Sequence, residues 1–210
     1  MLEHSRIGVG DPDRGGDLCL VPNARGLVVF AHCDGNAGES RRSRDLARWL
    51  QQRELSTLVF DLLTPRERND PEAPYDIDRL AQRLLAALDA LPATVRAEPV
   101  GLFGSGTGTA AALVVAAYHR DRVAAVVSRG GRPELANHVL HLVKAPTLLI
   151  VGAADVAAIE PNRRAYAQLR GERRIELVPR ATHLFLEAGT LQTVALRAGD
   201  WFVAHLRRPP

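Results

Sequence analysis

Along the chain, apolar runs of strand length alternate with longer stretches whose apolar positions recur every three or four residues. This is the pattern of βαβ units building a mostly parallel sheet. Residues 26–31, GLVVFA, are unbroken by polar side chains, as expected of a strand buried on both faces. Residues 56–61, 99–103, 123–128, 146–151 and 174–178 read as further strands, and 17–21 as a short edge strand. Helices are predicted over about 40–53, where Leu46, Trp49 and Leu50 share a face, and from a cap at Asp76 or Asp78 to Leu91. Leu80, Leu84, Leu85 and Leu88 form the apolar stripe of the second. Further helices are expected over about 107–118, 163–169 and 190–206, while 64–75, with three prolines and many charges, reads as an exposed loop. There is no repeat, low-complexity tract or linker, so residues 1–210 are expected to form a single doubly wound α/β domain.

Composition narrows this picture. The chain is 46% hydrophobic but only 5% aromatic, so its core must be built mainly from Val, Leu and Ala. The net charge of +3 permits a nucleic-acid partner, but the basic residues fall in pairs (Arg41-Arg42, Arg163-Arg164, Arg173-Arg174, Arg207-Arg208) with acidic neighbours and no interleaved aromatics. They read as solvated faces, and no nucleic-acid partner is expected. Two cysteines, Cys19 and Cys33, give neither a disulfide framework nor metal spacing, and the histidines do not cluster with acids, so no metal or cofactor is expected. The start has no apolar core of signal-peptide length and no window approaches the ~20 apolar residues of a membrane span. A soluble cytoplasmic protein, with no membrane partner, is the expectation.

In open α/β sheets, ligands sit beyond the carboxyl ends of the strands. The residues there are His32-Cys33-Asp34-Gly35, then Gly104-Ser105-Gly106-Thr107-Gly108, then Gly152-Ala153-Ala154-Asp155, then Ala181-Thr182-His183-Leu184-Phe185. A strand, a glycine turn and an alanine-rich helix around 99–113 is the context of a nucleophile elbow, G-x-S-x-G. Here the pentapeptide is G-S-G-T-G, and its centre is Gly106. Elbow, then acid, then histidine is the chain order of nucleophile, Asp and His on such a sheet. The histidine would take the nucleophile's proton, the aspartate would fix its tautomer, and the backbone N–H groups of Thr107 and Cys33 would hold a developing oxyanion.

Taken together, these segments resemble the α/β-hydrolases of the dienelactone-hydrolase-like group over essentially the whole chain. The resemblance is carried by VVFAH (28–32), LVFDLLTP (58–65), the elbow, VSRGGRP (127–133), PTLLIVG (146–152) and ATHLF (181–185). It implies a hydrolase fold without a large cap and a Ser or Cys nucleophile acting with Asp and His on small esters or lactones. By matching position Asp155 is the acid and His183 the histidine.

Two departures stand out. Gly106 occupies the nucleophile position, and the loop after the 26–31 strand reads His32-Cys33-Asp34-Gly35 where a glycine-rich turn beginning His-Gly is usual in this resemblance. Asp34 would set a negative charge near the oxyanion, worth about 4 kcal/mol at ~4 Å and ε ≈ 20. The expectation is therefore a binding or regulatory homologue, or a nucleophile-deleted variant, that takes a small-molecule ligand without ordinary nucleophilic catalysis. The alternative is an active hydrolase of small esters or lactones using Ser105, Cys33 or a water activated by His183. Adjacent side chains of an elbow point apart, which counts against Ser105, and Asp34 would raise rather than lower the Cys33 pKa. His32 is read as a support of its loop backbone. Arg129 and Arg132 read either as holding an anionic ligand or as making surface ion pairs.

Overall fold

The computed structural model describes residues 2–9, 15–33 and 37–206. Asp34 and the pair Arg207-Arg208 lie outside the described residues. The strands are β1 (Glu3–Gly8), β2 (Gly15–Leu20), β3 (Leu27–His32), β4 (Ser56–Asp61), β5 (Val100–Gly106), β6 (Ala125–Gly131), β7 (Thr147–Gly152) and β8 (Arg173–Val178). They form one sheet in the order β1-β2-β4-β3-β5-β6-β7-β8. The β1–β2 hairpin joins β4 antiparallel at one edge, and every other neighbouring pair is parallel. The helices are α1 (Ala37–Gln51), α2 (Ile77–Asp89), α3 (Ala93–Arg96), α4 (Gly108–Tyr118), α5 (Val156–Gln168) and α6 (Thr190–His205).

Successive side chains of a strand point to opposite faces, so a strand covered on both sides must be apolar throughout. In β3, Val28 and Phe30 pack beneath α1 and α6 with Phe103, Val127, Ile150 and Phe202. Val29 and Ala31 face the other layer, with Leu58, Leu102 and Leu149 beneath α2 and α4. This is the doubly wound α/β architecture that the alternation of runs predicts. The scarcity of aromatics has a structural counterpart in α4, which is buried from Gly108 to Ala117 and rich in alanine. Small side chains let this helix seat directly on the sheet. At its first residue even one methyl group would collide with the Ala31 carbonyl, so Gly108 marks a close helix–strand approach.

Several boundaries differ from the sequence expectation. Helix α5 begins at Val156, not at 163, and carries Pro161 within it. The proline removes only the amide that would bond the Ala157 carbonyl, and Ala157 lines a cavity open to water that can solvate it. The 64–75 segment is more ordered than an exposed loop: it contains two 3₁₀ turns, Glu67–Asn69 and Ala73–Tyr75, and buries Ala73. Of the two candidate caps, Asp76 is the one whose carboxylate accepts the Arg79 N–H at the start of α2. The edge strand expected over 17–21 is β2, joined by a second, β1, and β5 and β6 run on to Gly106 and Gly131. Consequently Arg129 lies inside β6, 4% exposed, and not on the surface; its guanidinium sits 6.0 Å from the Phe185 ring centroid. Among the described residues no helix is long and apolar enough to cross a membrane.

Candidate active site

Strand β5 ends in the turn that the glycine pattern predicts. Gly106 has φ +51°, the left-handed region, and its carbonyl accepts the Arg132 N–H at 3.0 Å. The chain then enters α4, with Thr107 as the flanking residue and its carbonyl accepting the first helical N–H from Ala110 at 3.0 Å. A side chain at position 106 would stand at a positive φ, the strained posture of an elbow nucleophile. Gly106 adopts that posture without strain and presents no reacting atom.

The histidine and the acid meet through two loops that follow neighbouring strands. β7 leads to Asp155, and the Ala154 N–H bonds the Ala181 carbonyl at 2.9 Å, lashing the acid loop to the histidine loop. His183 Nδ1 lies 2.8 Å from Asp155 Oδ2, with the imidazole about half exposed and the carboxylate mostly covered. Beside the carboxylate, Nδ1 is the nitrogen that carries the proton, which leaves Nε2 the nitrogen with a lone pair. The histidine turn is built tightly. Phe185, at φ +53° and 1% exposed, plugs into the core below it, and Glu187 takes both the N–H and the hydroxyl of Thr182, at 3.1 and 2.6 Å. The Thr182 hydroxyl bond holds the Glu187 carboxyl below its ordinary pKa.

Room for this turn comes from β6. Its register with β5 shifts by one residue, Ser105 facing Arg129 but Gly106 facing Gly131, so that Gly130 bulges out at φ +50°. A methyl group there would lie 2.9 Å from the His183 carbonyl. Beneath the bulge the hydroxyls of Thr109 and Ser128 pair at 3.1 Å.

Two cavities flank this centre. One, of about 690 Å³, is lined by Gly106, Thr107 and Cys33 on one side and by Arg68, Pro71, Pro74 and Tyr75 of the 64–75 segment on the other. The second, of about 280 Å³, is lined by Asp155 and His183 together with Gly131, Ala157, Ala158 and Pro161. Arg132 lines both. Of the residues singled out in the sequence, Gly106, Thr107 and Cys33 thus share one cavity, and Asp155 and His183 the adjoining one. Ser105, 4% exposed within β5, lines neither. His32 is buried at the end of β3, where its carbonyl accepts the Leu62 N–H at 2.9 Å. A third cavity, of about 360 Å³ between the β1–β2 hairpin and α1, lies on the far edge of the sheet from this chemistry.

Sequence reasoning missed Tyr75, Glu187, Phe185 and the clamp on the 64–75 segment. Glu67 accepts two hydrogen bonds from Arg83 at 2.7 Å, and the N–H and hydroxyl of Thr64 at 2.9 Å. The spacing Thr64-x-x-Glu67 was the available signal, since it is that of a capping box.

No family model matches the chain. The chain is 43% identical to a dienelactone hydrolase from Anabaena variabilis ATCC 29413 whose crystal structure superposes with a TM-score of 0.91, covering 99% of each chain. The esterase Est1E from Butyrivibrio proteoclasticus is 15% identical, with a TM-score of 0.78 over 96% of this chain and 98% of that one, and speaks for the fold alone. Proteins of two Mycobacterium tuberculosis strains carrying a provisional phosphoribosyl-transferase name are 47% identical over 99% of this chain. The chain spans 47% of their length, so that name attaches to proteins about twice the size of the matched stretch.

Proposed function

The chain belongs to the dienelactone-hydrolase-like α/β-hydrolases, and from that premise we propose that it holds a small carboxylic ester or lactone, or the matching acid, without forming an acyl-enzyme. The observation that carries this reading is Gly106: it sits at the elbow with φ +51° and lines the cavity where the nucleophile's oxygen or sulfur would emerge. The remaining parts are the His183–Asp155 pair and the Thr107 N–H at the start of α4, which would face a carbonyl or carboxylate oxygen. With no atom to attack the carbonyl, these groups bind and polarise but do not carry acyl transfer.

One observation favours a second reading. The His183 ring is half exposed while its Nδ1 is held by Asp155, so Nε2 would be able to activate a water for direct attack. Direct hydrolysis gives linear product release, whereas an acyl-enzyme from Cys33 or Ser105 gives a burst. The test is p-nitrophenyl acetate turnover by the chain and by its Gly106→Ser variant. The account expects no burst and near-background turnover from the chain, and a gain on the order of 10³-fold or more from the variant. Steady turnover that disappears in His183→Ala supports the water route instead; a burst from the unmodified chain contradicts both.

A further inference from the structure

One side chain, Arg132, lines both cavities of the site. Arg132 lies just past β6 with its backbone N–H on the Gly106 carbonyl, so the elbow itself sets where this residue starts. Its Nε donates to Glu134 at 2.9 Å, and its guanidinium lies 5.5 Å from the Tyr75 ring centroid with Nη1 3.4 Å from the Tyr75 hydroxyl. The Glu134 contact holds the cation, raising its pKa further. Tyr75 closes the far end of the 64–75 segment, and that segment is fixed at its near end by the Glu67–Arg83 clamp. One wall is therefore rigid while its closing contact is a partly exposed ring–cation pair, the cheaper of the two to break.

The chambers differ in character. The elbow chamber offers the Thr107 end of α4 and the space over Gly106, where a carbonyl would lie. The His183 chamber sets an apolar wall of Gly131, Ala157, Ala158 and Pro161, along which an alkyl chain would lie, against the polar side chains of Arg132, Glu134, Asp155, Asn162 and His183. A ligand whose carbonyl lies over Gly106 and whose chain continues into the second chamber has to pass Arg132.

We propose that Arg132, latched on Tyr75, is a specificity-determining residue that limits the length of the aliphatic chain this site admits, and that a longer chain binds only by displacing the guanidinium from the tyrosine ring. The class of ligand is a neutral carbonyl compound, an ester or ketone, with a medium-length alkyl chain. This rests on the binding reading above, but its test reads binding and not turnover, so the two fail separately.

The probes are acetophenone and octanophenone, non-hydrolysable ketones that differ only in alkyl length, titrated by calorimetry into the chain with Gly106 in place. Arg132→Ala is expected to tighten octanophenone about tenfold relative to acetophenone, the size of a lost cation–π and hydroxyl contact of about 1.4 kcal/mol. Tyr75→Ala is expected to shift the ratio in the same direction, and Tyr75→Phe, which keeps the ring, by less than either. Thermal melts establish that each variant is folded; should Arg132→Ala fail to fold, Arg132→Gln, which keeps the stem but not the cation, takes its place. Equal tightening of both ketones, no change in the ratio, or no binding of either ketone to any folded variant overturns the proposal. Covalent labelling of the unmodified chain by an acylating reagent would instead overturn the binding reading and leave this comparison standing.

Discussion

Glu67→Gln removes the charge from the clamp that holds the wall of the elbow cavity and leaves its shape. In the folded chain the Glu67 carboxyl titrates at about 2, against 4.5 ordinarily, chiefly because Arg83 donates two hydrogen bonds to it and Thr64 two more. A fall from 4.5 to about 2 corresponds, at ~1.36 kcal/mol per tenfold change in proton affinity, to about 3 kcal/mol of linkage. The side chain keeps 18% of its surface exposed, so screening by water reduces this, and about 1–3 kcal/mol is the working range. The folded-state pKa is depressed, so this stability is fully present above pH 4.5 and is lost as the pH falls toward 2. The variant should therefore unfold about 3–10 °C below the parent at pH 7. The gap should narrow through pH 4 and 3 and nearly close by pH 2. Urea unfolding followed by Trp49 and Trp201 fluorescence at these pH values measures it. A variant as stable as the parent at pH 7, or a gap that persists undiminished at pH 2, would refute the reasoning.

Three other outcomes follow from the same geometry. Gly130→Ala forces a methyl group into a left-handed residue and to within 2.9 Å of the His183 carbonyl; a loss of about 1–2 kcal/mol is expected, together with a displaced imidazole. Loss of stability with an unmoved His183 side-chain resonance would speak against the bulge as the shaper of the turn. Gly108→Ala drives a methyl group onto the Ala31 carbonyl under α4, and should leave little soluble folded protein; a Tm within a degree of the parent contradicts that packing. Both cysteines are buried and each lines a cavity, but the Cys19 thiol is pushed up by its burial and touches His4 Nε2 at 3.6 Å, while Cys33 lines the elbow cavity. Iodoacetamide followed by peptide mass mapping should modify Cys33 first, and the reverse order would place the open cavity elsewhere.

The fold was largely legible because its signals are local and repeated. An unbroken run as short as 26–31 between turn residues reads as a strand covered on both faces, and the leucines of 80–88 read as a helix with one dry side. The elbow was legible through its glycines, and the His183–Asp155 meeting through chain order. What escaped was set by contacts between distant segments. The sequence leaves Arg129 open between an anion-binding and a surface ion-pairing residue; its burial inside β6 comes with Phe185, more than fifty residues on, whose ring centroid lies 6.0 Å from the guanidinium. The 64–75 segment reads as loop because its order comes from Arg83 on the following helix and from Arg132 beyond β6, neither of which its own composition announces. Pro161 marks a break in any local reading, yet α5 runs through it, and Ala157, whose carbonyl loses its helical partner there, lines the His183 cavity.

The central claim is that position 106 has the backbone of a nucleophile and lacks the atom. Intact mass spectrometry after exposure to a serine-directed organophosphorus probe tests it most directly. The account predicts no mass shift for the unmodified chain, and for the Gly106→Ser variant a single adduct that maps to residue 106. An adduct on the unmodified chain, at Ser105 or any other residue, would contradict it and would itself name the nucleophile.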